Sequence, residues 1–508
     1  MTRTAATRPK ALRVTQHSSK ALSRRALLAR AGTLCAAAGM RATGIGLGSA
    51  GFGAAGCAHH TERNAWVDLA RNRTQPPLVF IPGSFGTELA DPRTGRPMWP
   101  HSNLKLLFGT YDELGLDFDT ETLEPATDQP LLAGVLTQGL GFDFYGRLLQ
   151  LLTGTAAYRL RRPDDGHEPG PRDCWPYLYD WRRDNATAAR GLAELIAIIR
   201  AERGDPALRV DLLGHSNGGL IARWYQHYGI GREATSGPQS SSAGGADAIN
   251  RLLLIGTPNR GTLQPVVAHL RGEEIGLRRI NPEVLATCPG VTQLMPHPDD
   301  VWLIDRRGDP VRADVFDPET WRAFGWSIFA PDVRARVIAR NGSGRSGRRY
   351  LDALERYHAQ QLAHGRRFIT ALPSLASESS VPLHLLGGDC APTLGRLLLE
   401  AEGQALMGRE QVRQIARPIA GVDYAGLMFE PGDAVVTRRS LLGGASEPVL
   451  QRGRPLDMSA RTGPGGRNEM GSWVSSCAEH RGMTGDPTLQ RELLRVLFSP
   501  TPPRDPIV

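Results

Sequence analysis

The residues with the clearest chemical potential are Gly214-His215-Ser216-Asn217-Gly218-Gly219, a Gly-x-Ser-x-Gly pentapeptide with one further glycine. A serine hydroxyl is a weak nucleophile until a neighbouring base takes its proton, and the usual base is a histidine oriented by a carboxylate. Small residues around the serine let a strand turn sharply into a helix. The turn pushes the hydroxyl away from the sheet and aims the first helical amides at a developing oxyanion. In a chain with 58 glycines the pentapeptide alone says little, and a glycine-rich turn capped by an ordinary serine is the alternative. Its context favours chemistry: Leu208 to Leu213 reads as a strand, and Leu220 to Tyr228 carries apolar residues at helical spacing.

A base and an acid must then follow in the order serine, acid, histidine. His480 is the only histidine beyond His384, and His384 lies inside a strand-like run, so His480 is the expected base. Three aspartates are candidates for the acid: Asp433 in Pro431-Gly432-Asp433-Ala434-Val435-Val436, Asp389 after Gly387-Gly388, and Asp423. Asp433 is favoured because it joins a glycine turn to a short apolar run. Each could equally be a surface turn residue, the commonest role of aspartate. Asp486-Pro487 reads as the cap and first turn of a closing helix over Thr488 to Phe498, which leaves His480 in the preceding loop. Pro82-Gly83-Ser84-Phe85-Gly86 is the one glycine-rich strand exit before Ser216, so the amides of Ser84 and Asn217 are the expected oxyanion donors. The loop has neither spacing that cradles phosphate.

The elements that must position these groups recur along the chain. Leu78 to Ile81, Leu208 to Leu213, Leu252 to Ile255 and Leu383 to Leu386 are apolar runs that end in glycine-rich turns, with helical segments such as Gly191 to Arg200 between them. Apolar strands alternating with helices predict an α/β fold, a mostly parallel sheet with helices on both faces and ligands at the carboxyl ends of strands. Residues 91–172 and 262–378 mix strand and helix signals and are expected to be cap or lid insertions. The low-complexity run Glu233 to Ala248 and the basic run Asn341 to Arg349 are expected to be surface loops.

Charge and cysteines bound the setting. Nine of the 60 basic residues fall in residues 1–56 with no acid among them, which leaves 51 against 52 acidic residues for the rest of the chain. A neutral body offers no clustered cations to release counterions, so no nucleic-acid partner is expected. Ser23-Arg24-Arg25-Ala26-Leu27-Leu28, followed by a stretch rich in Ala and Gly, has the pattern of a twin-arginine export leader over residues 1–56, disordered or cleaved, with the domain proper over 57–508. A periplasmic, extracellular or membrane-anchored location follows. Ala54-Ala55-Gly56-Cys57 resembles a lipobox, with Ala54 where Leu is usual, making Cys57 a candidate for lipidation. Export would leave Cys174, Cys288, Cys390 and Cys477 in an oxidising compartment, enough for two disulfides of unspecified pairing. No cysteine spacing suits zinc, and no metal or cofactor is expected.

Taken together, these residues resemble the lecithin:cholesterol acyltransferase family of α/β-hydrolases. The matching islands are Ile81 to Leu89, Tyr179-Asp180-Trp181-Arg182, the Ser216 turn, Gly256-Thr257-Pro258 with Gly261, and Gly432-Asp433 followed by His480; Gly387 to Thr393 is a weaker sixth. The resemblance implies a Ser216–Asp433–His480 triad and oxyanion amides from Ser84 and Asn217. Phe85, Asp180 and Trp181 would shape the acyl pocket, although Asp180 and Trp181 could equally be a buried pair that anchors the cap. The implied substrate is a lipid or other acyl ester at a membrane surface, cleaved by water or transferred to an alcohol. This chain departs from the family in reading Ala434-Val435-Val436 after the acid, and it has no cysteine pair between Ser84 and Trp175 to close a membrane-touching loop. A plain carboxylesterase or lipase, and a silent lipid- or envelope-binding module, are the alternatives.

Overall fold

A computed structural model describes residues 66–70, 75–100, 111–139, 142–163, 165–170, 172–230, 245–375, 381–444 and 471–500. The chain divides into two units, Met1–His60 and Thr61–Val508, and every described residue belongs to the second. The leader and Cys57 lie outside the described residues.

Among the described residues the central sheet has seven strands: β1 (Leu78–Ile81), β2 (Arg159–Leu160), β3 (Asp173–Pro176), β4 (Val210–His215), β5 (Ile249–Ile255), β6 (Leu383–Gly388) and β7 (Gly471–Ser476). Their order across the sheet is β7-β6-β5-β4-β1-β3-β2, and every pairing is parallel. This is the expected α/β sheet. Its strands carry apolar side chains on both faces because both faces are covered. Val79, Ile81, Leu212, Leu252 and Leu254 face the larger core, where helices α1 (Asn185–Arg203) and α2 (Asn217–Tyr228) pack. Leu78, Phe80, Leu213, Leu253 and Ile255 face the second core, closed by α4 (Pro487–Phe498) through Leu489, Leu493 and Leu497.

Register brings the site together. Ile81 pairs with Gly214, and His215 pairs with Ile255, so the exits of β1, β4 and β5 lie side by side. Ser216 donates its N–H to the Ile255 carbonyl (2.8 Å), which ties the turn after β4 to the end of β5.

Several elements differ from the sequence reading. β4 begins and ends two residues later than expected, so His215 is a strand residue. The basic run at 341–349 is not a loop throughout: α3 (Gly344–Ala371) starts within it, and its apolar residues, including Leu351, Leu354, Leu362 and Phe368, are buried. Within the 91–172 stretch, Pro97–Trp99 and Leu131–Val135 make a small antiparallel sheet with Thr87–Ala90; near its end, β2 runs along the edge of the central sheet. Two disulfides were allowed by the cysteine count. One forms, Cys390–Cys477, joining the exits of β6 and β7, whereas Cys174 and Cys288 are free and buried.

Candidate active site

Ser216 sits at φ 53°, ψ −123°, a conformation that non-glycine residues rarely adopt and that a tight turn between β4 and α2 imposes. The turn closes only because its flanks are small: a Cβ on Gly214 would lie 2.6 Å from Gly219 Cα. The Ser216 hydroxyl is 3.0 Å from His480 Nε2, and His480 Nδ1 is 2.8 Å from Asp433 Oδ2. A carboxylate only accepts, so Nδ1 carries the proton and Nε2 is free to accept from the serine hydroxyl.

Asp433 is 1% exposed and fully engaged. Its Oδ1 accepts the N–H groups of Val435 (3.0 Å) and Val436 (2.6 Å), leaving Oδ2 for the imidazole. The His480 amide donates to the Asp433 carbonyl (2.8 Å), so main chain and side chain both join these two residues. Asp433 follows Phe429–Gly432, a strand paired antiparallel with Ala391–Leu394 beside the central sheet. The other candidates stand elsewhere. Asp423 caps the short helix Tyr424–Met428 through the Gly426 amide, Asp389 donates its N–H to Ser476 O at the β6 exit, and His384 binds Ser472 Oγ at 2.7 Å within the sheet.

The Pro82–Gly86 turn lies against the elbow, where a Cβ on Gly83 would meet Ser216 Cβ at 2.9 Å. The turn is held at three points: Tyr179 OH donates to the Pro82 carbonyl (2.9 Å), Gly83 N–H donates to Tyr145 OH (2.8 Å), and Gly86 N–H donates to the Gly83 carbonyl (3.0 Å). Asn217 is the first residue of α2, so its amide has no intrahelical acceptor. Its side chain is locked in a reciprocal pair with Asn185, at 2.8 Å in both directions.

Phe85, at φ 63°, packs on Trp181 (4.2 Å between ring centroids) and Trp99 (5.1 Å), and its carbonyl accepts the Trp99 indole N–H at 2.7 Å. These rings form an apolar wall beside the turn. Asp180 is buried and both its oxygens are taken by Arg182, at 2.8 Å each, with Arg183 at 3.3 Å. That arrangement anchors the segment that carries Trp181.

Sequence reasoning missed Tyr145 and Asn185 and gave no role to Tyr179 or His215, both of which stand in its motifs. His215 was in plain view inside the motif, whereas Tyr145 stands 62 residues from Gly83 and 70 from His215, with no motif to signal it. His215 is buried, and burial holds its imidazole well below the usual histidine range, with the neighbouring His480 adding to the effect. Among the described residues no group of three or more His, Cys, Asp or Glu could hold a metal, and no helix is long and apolar enough to cross a membrane.

No family model and no curated protein matches this sequence. Solved structures do. A Tle4–Tli4 complex contains a chain 16% identical, with TM-score 0.49, aligned over 83% of this chain and 97% of that one. The Bacillus licheniformis lipase BlEst2 in mature form is 10% identical (TM-score 0.29, 84% and 93% covered), and lipase 1 from Pelosinus fermentans is 12% identical (TM-score 0.30, 84% and 98% covered).

Proposed function

We propose that the chain is a serine acyl-ester enzyme, an exported lipid esterase or O-acyltransferase of the kind its motifs resemble. One observation carries the reading: a single imidazole spans Ser216 Oγ and the Asp433 carboxylate at 3.0 and 2.8 Å. In this mechanism Ser216 Oγ attacks the ester carbonyl while His480 Nε2 takes its proton. The Asp433 carboxylate holds Nδ1–H and stabilises the imidazolium. The tetrahedral oxyanion accepts from the Ser84 and Asn217 amides, which cost no reorganisation because the turn and the helix start are already in place. Collapse breaks the C–O bond of the leaving alcohol, which His480 protonates. The acyl-enzyme then reacts with water or with a second alcohol, whose proton returns to His480.

An acyl chain is the substrate part that Phe85 favours, a partly exposed ring backed by the buried Trp99 and Trp181, since apolar area removed from water is its main source of affinity. Export is supported by the twin-arginine pattern and by the Cys390–Cys477 disulfide, which persists in an oxidising compartment. The test is covalent: a fluorophosphonate should label Ser216 in the folded protein and leave a Ser216→Ala variant unlabelled, and an unlabelled wild type would sink the reading. Product analysis on a phospholipid, with and without a long-chain alcohol, separates the two fates. Free fatty acid alone marks a hydrolase; a new ester marks a transferase.

A further inference from the structure

The site's three loops meet at a residue that the chemistry above does not use. Tyr145 precedes the short helix Gly146–Gln150 and is 3% exposed, its ring edge-on to Phe80 (5.0 Å) and to His215 (5.5 Å). The hydroxyl accepts Gly83 N–H at 2.8 Å and lies 2.8 Å from His215 Nδ1. The buried phenol has one proton to place and Nδ1 is the acceptor beside it, so the hydroxyl donates there and His215 is a neutral acceptor. Burial favours both protonation states, raising the phenol and lowering the imidazole. The adjacent Phe144 gives its carbonyl to Thr484 Oγ1 at 2.8 Å, in the turn just beyond His480. Two consecutive residues therefore touch the oxyanion turn, the elbow and the histidine loop.

We propose that Tyr145 is a positioning residue for the acyl-transfer step, a hydroxyl clamp that fixes Gly83 against the elbow so that the Ser84 amide is aimed before substrate arrives. Glycine is the residue with the most backbone freedom, and Gly83 has no Cβ to restrict it. The Gly83 carbonyl and the Ser84 N–H share one peptide plane, which the Gly86 amide holds from one side. Tyr145 holds the other side of Gly83 and ties it to the strand that delivers Ser216. The chemical part of this inference rests on the acyl-ester reading; the clamp itself does not.

The experiment uses the full chain with Tyr145→Phe, which keeps the ring and removes the hydroxyl. Misplacing a transition-state contact by a fraction of an ångström is expected to lower kcat about 10- to 100-fold with KM little changed. Affinity for a trifluoromethyl ketone, whose serine adduct carries the oxyanion, should fall by the same factor as kcat/KM, a correlation that a loss of folded protein would not produce. Amide exchange at Gly83 should accelerate. His215→Leu removes the acceptor while sparing the phenol; it carries the same expected signature and serves if Tyr145→Phe does not fold. The inference is overturned if kcat and ketone affinity stay within about twofold of wild type, or if Gly83 exchange is unchanged. Should the wild type neither label with a fluorophosphonate nor cleave esters, the acyl-ester reading fails alone, and Gly83 exchange still decides the clamp.

Discussion

Histidines are buried in two parts of the molecule, and among them only His480 has both nitrogens engaged. At the carboxyl ends of the strands, His480 has a carboxylate on one nitrogen and a hydroxyl on the other, and His215 has the Tyr145 hydroxyl on Nδ1. In the segment between β5 and β6, His269 and His358 stack at 5.5 Å beside Trp321. His269 gives Nδ1–H to the Pro265 carbonyl and leaves Nε2 bare, while His358 faces the Ala286 carbonyl with neither nitrogen in hydrogen-bonding geometry. Burial pushes His269 down to about 4 and His358 down to about 3. Both stay neutral packing groups. Burial alone does not give an imidazole a reaction to run; that takes an acid on one side and a nucleophile on the other.

The sharpest way to break this contrast is at the nucleophile. Ser216→Ala should lower kcat by about 10⁶-fold, the loss expected when a triad acts as a unit. Asp433→Asn, which keeps the shape but allows the wrong imidazole tautomer, should cost about 10⁴-fold. His358→Phe should leave kcat unchanged. Steady-state kinetics on a short-chain nitrophenyl ester measures all three, and a kcat loss in the last would place chemistry in the segment between β5 and β6.

The disulfide extends the comparison to stability. Cys390 and Cys477 are exposed and close a separation of 87 residues, with Ala391 bridged to Asp433 on one side and His480 three residues beyond on the other. The chain-entropy estimate for a loop of that length is about 4 to 5 kcal/mol, so a Cys390→Ala/Cys477→Ala protein should unfold at clearly lower urea. Because the bridge braces the two loops that bring acid and base together, its activity should fall before global unfolding. Coincident loss of activity and fold in a urea titration would refute that.

Acid should destabilise the fold through its buried histidines, and His269 and His358 are two of them. The folded values of His269 and His358 lie below the ordinary histidine value, so the unfolded chain binds more protons and stability rises with pH across that interval. Stability should be complete above about pH 6.5 and fall toward pH 4, with a slope of up to about 1.4 kcal/mol per pH unit for each histidine. His358→Phe should flatten that slope, as chemical denaturation at pH 5 and pH 7.5 would show.

Much of the site was legible because it follows from local chemistry. The serine turn needs small neighbours, the Pro82–Gly86 turn follows a buried apolar strand, and Asp486-Pro487 opens a helix that leaves His480 in the loop before it. The rest depends on contacts between distant segments. β7 reads Gly-Ser-Trp-Val-Ser-Ser, too polar to signal a central-sheet strand, yet it pairs along its whole length with β6. α3 starts in a run of glycine and arginine that looks like a loop, because tertiary packing of its later apolar face overrides weak local propensity. Asn185 and Tyr179 matter through distant partners: Asn217 lies 32 and 38 residues from them, and Pro82 lies 97 from Tyr179.

Two aspartates of similar construction give the finest test. Asp433 Oδ1 accepts the Val435 and Val436 amides; Asp486 Oδ1 accepts those of Thr488 and Leu489 at 3.0 Å each. What differs is the second oxygen. That of Asp433 meets His480 in a buried site, while Asp486 is half-buried at the start of α4 and acts as an N-cap. Asp486→Ala should therefore cost about 1 kcal/mol of stability, the usual value of such a cap, and leave kcat unaltered. Urea midpoints and kcat measured on the same preparation decide it. A kcat loss at 25 °C, with the protein still folded, would mean that α4 does more than close the second core and that the position of His480 depends on the first turn of this helix.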